Sequence, residues 1–107
     1  MQQYTIDLTK YDLEDIKKRF GIKGMWTVFY ALIVKGLDFP NWCGLNFDAI
    51  WDMMTGWMDT PAHIIVKRPK FISKELNLKY QILIETLDEA VKYFNSIDDF
   101  LSYEIID

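Results

Sequence analysis

The chain of 107 residues contains a single cysteine, Cys43, and a single histidine, His63. One cysteine cannot form a disulfide within the chain, and it cannot supply a cysteine metal cluster. A cysteine–histidine nucleophilic pair would have to use these two residues. The presence of one residue of each type permits such a pair but is not evidence for it. The sequence also lacks a glycine-rich phosphate loop and the common metal-binding motifs. We therefore predict that the protein is not an enzyme and has no catalytic residue, metal or cofactor.

Long apolar runs and targeting signals are also absent. The longest apolar stretch, residues 25–34, is about half of a membrane span and is interrupted by Thr27. The first residues, Met1 to Thr5, contain neither the basic nor the apolar segment of a secretory signal. From these features we expect a cytoplasmic protein that does not bind a membrane.

Cations are fewer than carboxylates. The chain has 12 Lys and Arg against 16 Asp and Glu, which gives a formal net charge of −4 and a pI near 4.9. Nucleic-acid binding needs clustered cations, so this balance argues against nucleic acid as the partner. An acidic domain instead suits a basic protein, whose approach its field would steer.

Apolar and aromatic residues are abundant, at 50% and 16% of the chain. This length and composition predict one domain, residues 1–107, with a real core. Asp12 and Asn77 are the expected N-caps of the first and last helices, while Gly21 and Gly36 are expected stops. Periodicity predicts strands at 3–8, 62–66 and 103–106, and helices at 13–20, 24–35, 47–55 and 78–96.

This alternation of strands and helices predicts the fold class. It indicates a small α/β domain with a three-stranded parallel sheet packed by helices. The strand at 62–66 is almost continuously apolar, which suits a sheet covered on both faces.

Residues 42–58 have the most unusual composition. They include three of the four tryptophans and the cysteine, and no Lys or Arg occurs between Lys35 and Lys67. The segment predicts one short helix, with Asn46 as its N-cap and Gly56 as the left-handed residue that ends it. Its apolar stripe is Phe47, Ile50, Trp51 and Met54.

Asp48 and Asp52 fall together on a flank of this helix, with Thr55 beside them. Like charges at this spacing weaken a helix by a few tenths of a kcal/mol. The helix dipole stabilises the negative charge of Asp48 in the first turn, but it stabilises that of Asp52 very little. A solvated acidic face is the commoner explanation of two such carboxylates. A carboxylate dyad is also conceivable, as is a divalent-ion site that includes Asn46.

The aromatic residues favour a different interpretation. Trp51 lies at the edge of the stripe nearest the aspartates, and Trp42 and Trp57 bracket the helix. Large amphipathic rings beside unpaired charge are typical of a protein–protein hot spot.

The segment 39–57 reads Phe-Pro-Asn-Trp-Cys-Gly-Leu-Asn-Phe-Asp-Ala-Ile-Trp-Asp-Met-Met-Thr-Gly-Trp. It closely resembles the central signature of the barstar family of ribonuclease inhibitors. The positions that match the signature identically are Gly44, Asn46, Asp48, Ala49, Trp51, Asp52, Thr55, Gly56 and Trp57. This chain departs from the signature at Cys43, where a second aromatic residue is common, and at Leu45, which is often polar.

The resemblance implies a barstar-like fold and an immunity protein that acts as a monomer in a 1:1 complex. Its partner would be a cognate ribonuclease toxin, secreted or delivered. Asp52 would enter the toxin's phosphate-binding site in place of RNA phosphate, and Asp48 would add a second charge pair. An acidic residue of the long helix, Glu89, would also contact the toxin, with Glu85 and Asp88 as competing candidates.

The remaining partner-binding residues carried by the resemblance surround these carboxylates. They are Trp42, Cys43, Gly44, Asn46, Trp51, Thr55, Gly56 and Trp57. The alternative is a module of the same fold that neutralises a non-ribonuclease toxin or engages another basic protein.

Overall fold

The computed structural model describes residues 1–107 and contains three strands and three helices. In chain order they are β1 (Gln2–Asp7), α1 (Leu13–Gly36), α2 (Phe47–Gly56), β2 (Ala62–Lys67), α3 (Lys74–Ser96) and β3 (Leu101–Ile106). The strands form one parallel sheet in the order β1-β2-β3. The predicted α/β class and parallel three-stranded sheet are confirmed, although β3 begins at Leu101 rather than Tyr103.

The sheet is covered by helices on one face only. Each strand pairs with the next along the chain, and right-handed crossovers between such strands place all connecting helices on the same side. Burial along β2 therefore alternates. Ala62, Ile64 and Val66 are buried, while the side chains between them are partly exposed. The expectation of a sheet covered on both faces was wrong, because strand order rather than the apolarity of β2 decides where the helices lie.

One cluster of buried apolar side chains connects all six elements. Its largest fully buried members include Ile6, Met25, Phe29, Ile33, Ile50, Met54, Ile64, Leu83 and Leu87. The segment before α2 also contributes Phe39 and Cys43. Helix α2 is thus held by its inner face and by the loop that precedes it, which leaves its outer face available.

Helix α1 is broken at Gly21, where the backbone has φ +79° and ψ 176°. A positive φ costs a glycine little, so the predicted break lies at the right residue. The helix resumes at once, however, and the gap predicted before Gly24 is absent. Asp12 is the N-cap, as predicted, because its carboxylate accepts the N–H of Asp15 at 3.0 Å. None of the helices is long and apolar enough to cross a membrane.

Helix α3 begins earlier than the sequence predicted. Ser73, not Asn77, is its N-cap, and the Ser73 hydroxyl accepts the N–H of Leu76 at 3.2 Å. Asn77 lies inside the first turns and donates its own N–H to the Ser73 carbonyl at 2.9 Å. Both residue types cap helices well. A tertiary contact favours Ser73, whose N–H donates to the carboxylate of Glu14 at 3.1 Å.

Candidate functional site

The start of α2 is fixed by Asn46 and Gly44. The Asn46 side chain accepts the N–H of Ala49 at 2.8 Å, which confirms the predicted N-cap. A Cβ atom at Gly44 would lie 3.0 Å from the Ala49 Cβ and 3.2 Å from Asn46 Nδ2. The loop therefore lies close against the first turn of α2, and a larger residue at Gly44 would push it away.

The end of α2 differs from the prediction. Gly56 is the last helical residue and does not adopt a positive φ. Trp57 is the C-cap, and its N–H donates to the Met53 carbonyl at 2.8 Å. A Cβ atom at Gly56 would meet no heavy atom within 4 Å. The fold itself therefore does not require glycine at this position.

Asp48 and Asp52 are both exposed on α2. Neither carboxylate forms an ion pair with a lysine, arginine or histidine. The neighbouring Thr55 hydroxyl donates to the Trp51 carbonyl at 2.9 Å, so its proton is directed to the backbone. Helix α2 thus presents two charges that no cation of the chain compensates.

The tryptophans occupy two separate positions. Trp42 and Trp57, 70% and 54% exposed, lie edge to face with 5.7 Å between ring centroids. Helix α2 has 10 residues and is about 15 Å long, so the preceding loop must run back along it for the two rings to meet. The two residues bracket α2 in sequence but form one pair in space. Trp51 instead packs edge to face on Tyr93 of α3, at 6.0 Å.

A shallow groove of about 420 Å³ separates α2 from α3. Three carboxylates line it: Asp48 from α2, and Glu85 and Glu89 from α3. Its apolar lining residues are Phe47, Trp51 and Ile82. An acidic groove with an aromatic wall can accommodate a cationic side chain, because the ring stacks on the cation while the carboxylates pair with it.

The candidate carboxylates of α3 differ in whether they line this groove. Glu89 lines it and also pairs with Lys92 at 3.4 Å. Glu85 lies one turn earlier on the same face; the sequence signal for this was its spacing of four residues from Glu89. Asp88 faces β3, where it accepts the Tyr103 hydroxyl at 2.5 Å. Burial together with this hydrogen bond raises the pKa of Tyr103 to about 12.

The structure does not assemble a cysteine–histidine pair. Cys43 is buried, its thiol donates to the Gly44 carbonyl at 3.5 Å, and burial raises its pKa. The ring of His63 contacts Ser102 Oγ at 2.7 Å and Glu104 Oε1 at 3.0 Å on the neighbouring strand. Each residue is therefore engaged with its own neighbours rather than with the other.

The family model described as Barstar (barnase inhibitor) matches residues 24–103 of this chain. The chain belongs to the barstar family. The match includes α2, β2 and α3, and it confirms the resemblance carried by residues 39–57. It begins after the break at Gly21, so β1 and the first part of α1 lie outside the matched segment.

A protein of Bacillus subtilis (strain 168) named "Putative ribonuclease inhibitor YrdF" is also similar. The two sequences are 39% identical over 54 residues, which cover 50% of this chain and 59% of that relative. The similarity therefore extends over little more than half of the relative's length.

Proposed function

We propose that this barstar-family chain inhibits a cognate basic ribonuclease toxin by covering its active site. In this proposal residues 1–107 act in the cytoplasm as one inhibitory unit, a monomer that forms a 1:1 complex. The observation that carries the proposal is the pair of exposed, uncompensated carboxylates on α2, Asp48 and Asp52. The family membership and the name of the Bacillus subtilis relative support a ribonuclease as the partner.

The two carboxylates are suited to replace RNA phosphate. A ribonuclease must hold the phosphate with cationic groups, and charge-assisted hydrogen bonds to such groups are strong. Asp52 is the central mimic, and Asp48 adds a second charge pair on the same flank. The repulsion between them is relieved when cations arrive, and desolvated charge pairs at an interface can be strongly coupled.

The groove beside Asp48 extends this acidic surface onto α3. A lysine or arginine of the toxin would pack against Trp51 while it pairs with Asp48 and Glu89. Glu85, which the sequence offered as a competing candidate to Glu89, lines the same groove, and we include both among the partner-binding residues.

The surrounding residues have supporting roles in this proposal. The exposed pair Trp42 and Trp57 provides apolar contact area at one edge of the interface. The open space at Gly56 lets a partner backbone approach closely. Gly44, Asn46 and Thr55 shape the loop and helix, and the buried Cys43 stabilises that loop rather than touching the toxin.

Inhibition of RNA cleavage tests the proposal directly. The probes are barnase and the ribonuclease, if any, encoded beside this gene, each titrated with wild-type protein and with Asp52→Asn. We expect stoichiometric inhibition of at least one enzyme, and a loss of more than about 2 kcal/mol, roughly thirtyfold in Kd, for the variant. Asp98→Asn is the matched control, since it removes an exposed carboxylate from the loop after α3.

Two outcomes would contradict parts of this proposal. Equal inhibition by wild type and Asp52→Asn would exclude the phosphate-mimic role of that residue. Tight binding to a basic partner with RNA cleavage unchanged would favour the alternative, a barstar-fold module directed at a non-ribonuclease toxin or another basic protein.

A further inference from the structure

A second groove, of about 350 Å³, lies along the outer side of α1. The β1–α1 loop contributes Lys10 and Tyr11, and the part of α1 before Gly21 contributes Ile16. The longer part of α1, after the break, contributes the rest of the floor, including Val28 and Ala31. None of the residues in this groove belongs to the acidic surface formed by α2 and α3.

The chemistry of this groove is opposite to that of the acidic surface. Its floor is largely apolar, and the only charged residues that line it are Lys10 and Lys35. Neither lysine forms an ion pair within the chain. The neighbouring Asp7 carboxylate accepts the N–H and the hydroxyl of Thr9, at 2.9 and 2.5 Å. The Thr9 hydroxyl and, to a smaller extent, the charge of Lys10 lower the pKa of Asp7. In a chain of net charge −4, this apolar groove is lined by two lysines and no carboxylate. Only Asp7 lies beside the two lysines, in the adjoining pocket, so the local charge stays positive and favours an anionic ligand.

The size of the groove favours a small ligand. Small-molecule sites span about 300–1,000 Å³ and combine a mostly apolar lining with a few polar groups that orient the ligand. This groove falls at the lower end of that range, which is too little to bury a helix of a partner protein. The hydroxyl of Tyr11 has no hydrogen-bond partner in the chain, so it is a further donor for an anionic head group.

We propose that this groove binds a small apolar molecule with one anionic head group, of the medium-chain carboxylate class. The apolar chain would lie against Val28 and Ala31, and the carboxylate would pair with Lys10 and Lys35. Lys10, Tyr11 and Ile16 precede residue 24, where the family match begins. The site therefore depends on a segment outside the matched part of the chain, and it is independent of ribonuclease inhibition.

Titration of the full chain with decanoate, below its critical micelle concentration, tests this site. Methyl resonances of Ile16, Val28 and Ala31 should shift and saturate in two-dimensional NMR spectra. Nonyltrimethylammonium has the same nine-carbon alkyl chain as decanoate and the opposite charge, and it should bind at least about tenfold more weakly because two charge-assisted contacts are replaced by repulsion.

Two sets of variants separate the charge from the apolar surface. Lys10→Gln with Lys35→Gln should weaken decanoate binding about tenfold, whereas the control pair Lys18→Gln with Lys23→Gln, exposed lysines outside the groove, should not change it. Ala31→Trp should fill the groove and abolish binding, with far-UV circular dichroism to verify that the variant is folded.

The proposal fails if decanoate gives no saturable shift, or if its shifts map outside the groove. It also fails if the cationic amphiphile binds as well as decanoate. Unchanged affinity in the Lys10 and Lys35 double variant would overturn it equally, and this variant replaces surface side chains only.

Discussion

The indole rings of Trp42 and Trp57 contact each other edge to face, although one residue precedes α2 and the other follows it. Aromatic pairs of this geometry contribute about 0.5–1.5 kcal/mol beyond their buried area. We expect a double-mutant cycle with Trp42→Ala and Trp57→Ala, measured by urea denaturation, to give a coupling energy of about 1 kcal/mol. The cycle of Trp42→Ala with Trp51→Ala is the control. It should be additive within about 0.5 kcal/mol, because Trp51 packs on Tyr93 instead.

The two aspartates of α2 should affect stability unequally. Asp52→Asn should raise the free energy of unfolding by a few tenths of a kcal/mol, because it removes a like-charge pair. Asp48→Asn removes the same repulsion but also loses a favourable interaction with the helix dipole in the first turn, so we expect no gain. Urea denaturation at low ionic strength measures both values, and added salt should reduce the difference. An equal gain in both variants would contradict this explanation.

Two glycines at helix ends should respond oppositely to alanine. A Cβ atom at Gly36 would lie 2.5 Å from the Thr5 carbonyl oxygen and 2.9 Å from the Ile6 Cα, both backbone atoms. Gly36→Ala should therefore cost more than about 2 kcal/mol. Gly56→Ala meets open space and should be neutral or stabilising by up to about 1 kcal/mol. Thermal unfolding of the two variants tests the contrast, and a large loss of stability in Gly56→Ala would contradict the expected difference between the two positions.

The contact between α1 and the start of α3 should make stability depend on pH. Burial acts to raise the pKa of Glu14, but hydrogen bonds from Ser73 and the ion pair with Lys17 outweigh it, so the pKa lies below its ordinary value. Such a group stabilises the fold above its unfolded pKa and loses that contribution as the pH falls through its folded pKa.

Glu14→Gln should therefore lower the free energy of unfolding by about 1 kcal/mol at neutral pH. The difference from wild type should begin to shrink as the pH falls below the ordinary carboxyl pKa of about 4.3, and it should vanish only below the lowered pKa of the folded state. Urea denaturation across this pH range is the measurement. Glu85→Gln, an exposed carboxylate on α3 with no hydrogen bond within the chain, should show little change. If the difference in free energy of unfolding between wild type and Glu14→Gln grew as the pH fell, the lowered pKa of Glu14 would not explain the stabilisation.

Local signals predicted most of the architecture. The alternation of strands with helices, the cap at Asn46 and the break at Gly21 each depend on residues close in sequence. Each of these predictions was confirmed. The start of α3 was misplaced because Ser73 and Asn77 are equally good caps on local grounds. Their difference comes from Glu14, which is distant in sequence, and no local pattern contains that contact.

Local signals in the sequence also predicted part of the candidate site. Helical periodicity placed Asp48 and Asp52 on one exposed flank, and the family signature indicated the loop that surrounds them. The contact of Trp42 with Trp57 and the facing of Glu85 towards Asp48 depend on how the loop and α3 pack against α2. These relationships are tertiary, so periodicity within one helix could not give them.

The one-sided sheet makes this protein convenient to immobilise. Gln3 is exposed and lies opposite His63, on the face without helices. The natural cysteine is buried and its thiol has a raised pKa, so it reacts poorly with maleimides. A cysteine introduced at Gln3 would therefore be the preferred point of attachment to a sensor chip, with every helix directed toward the solution.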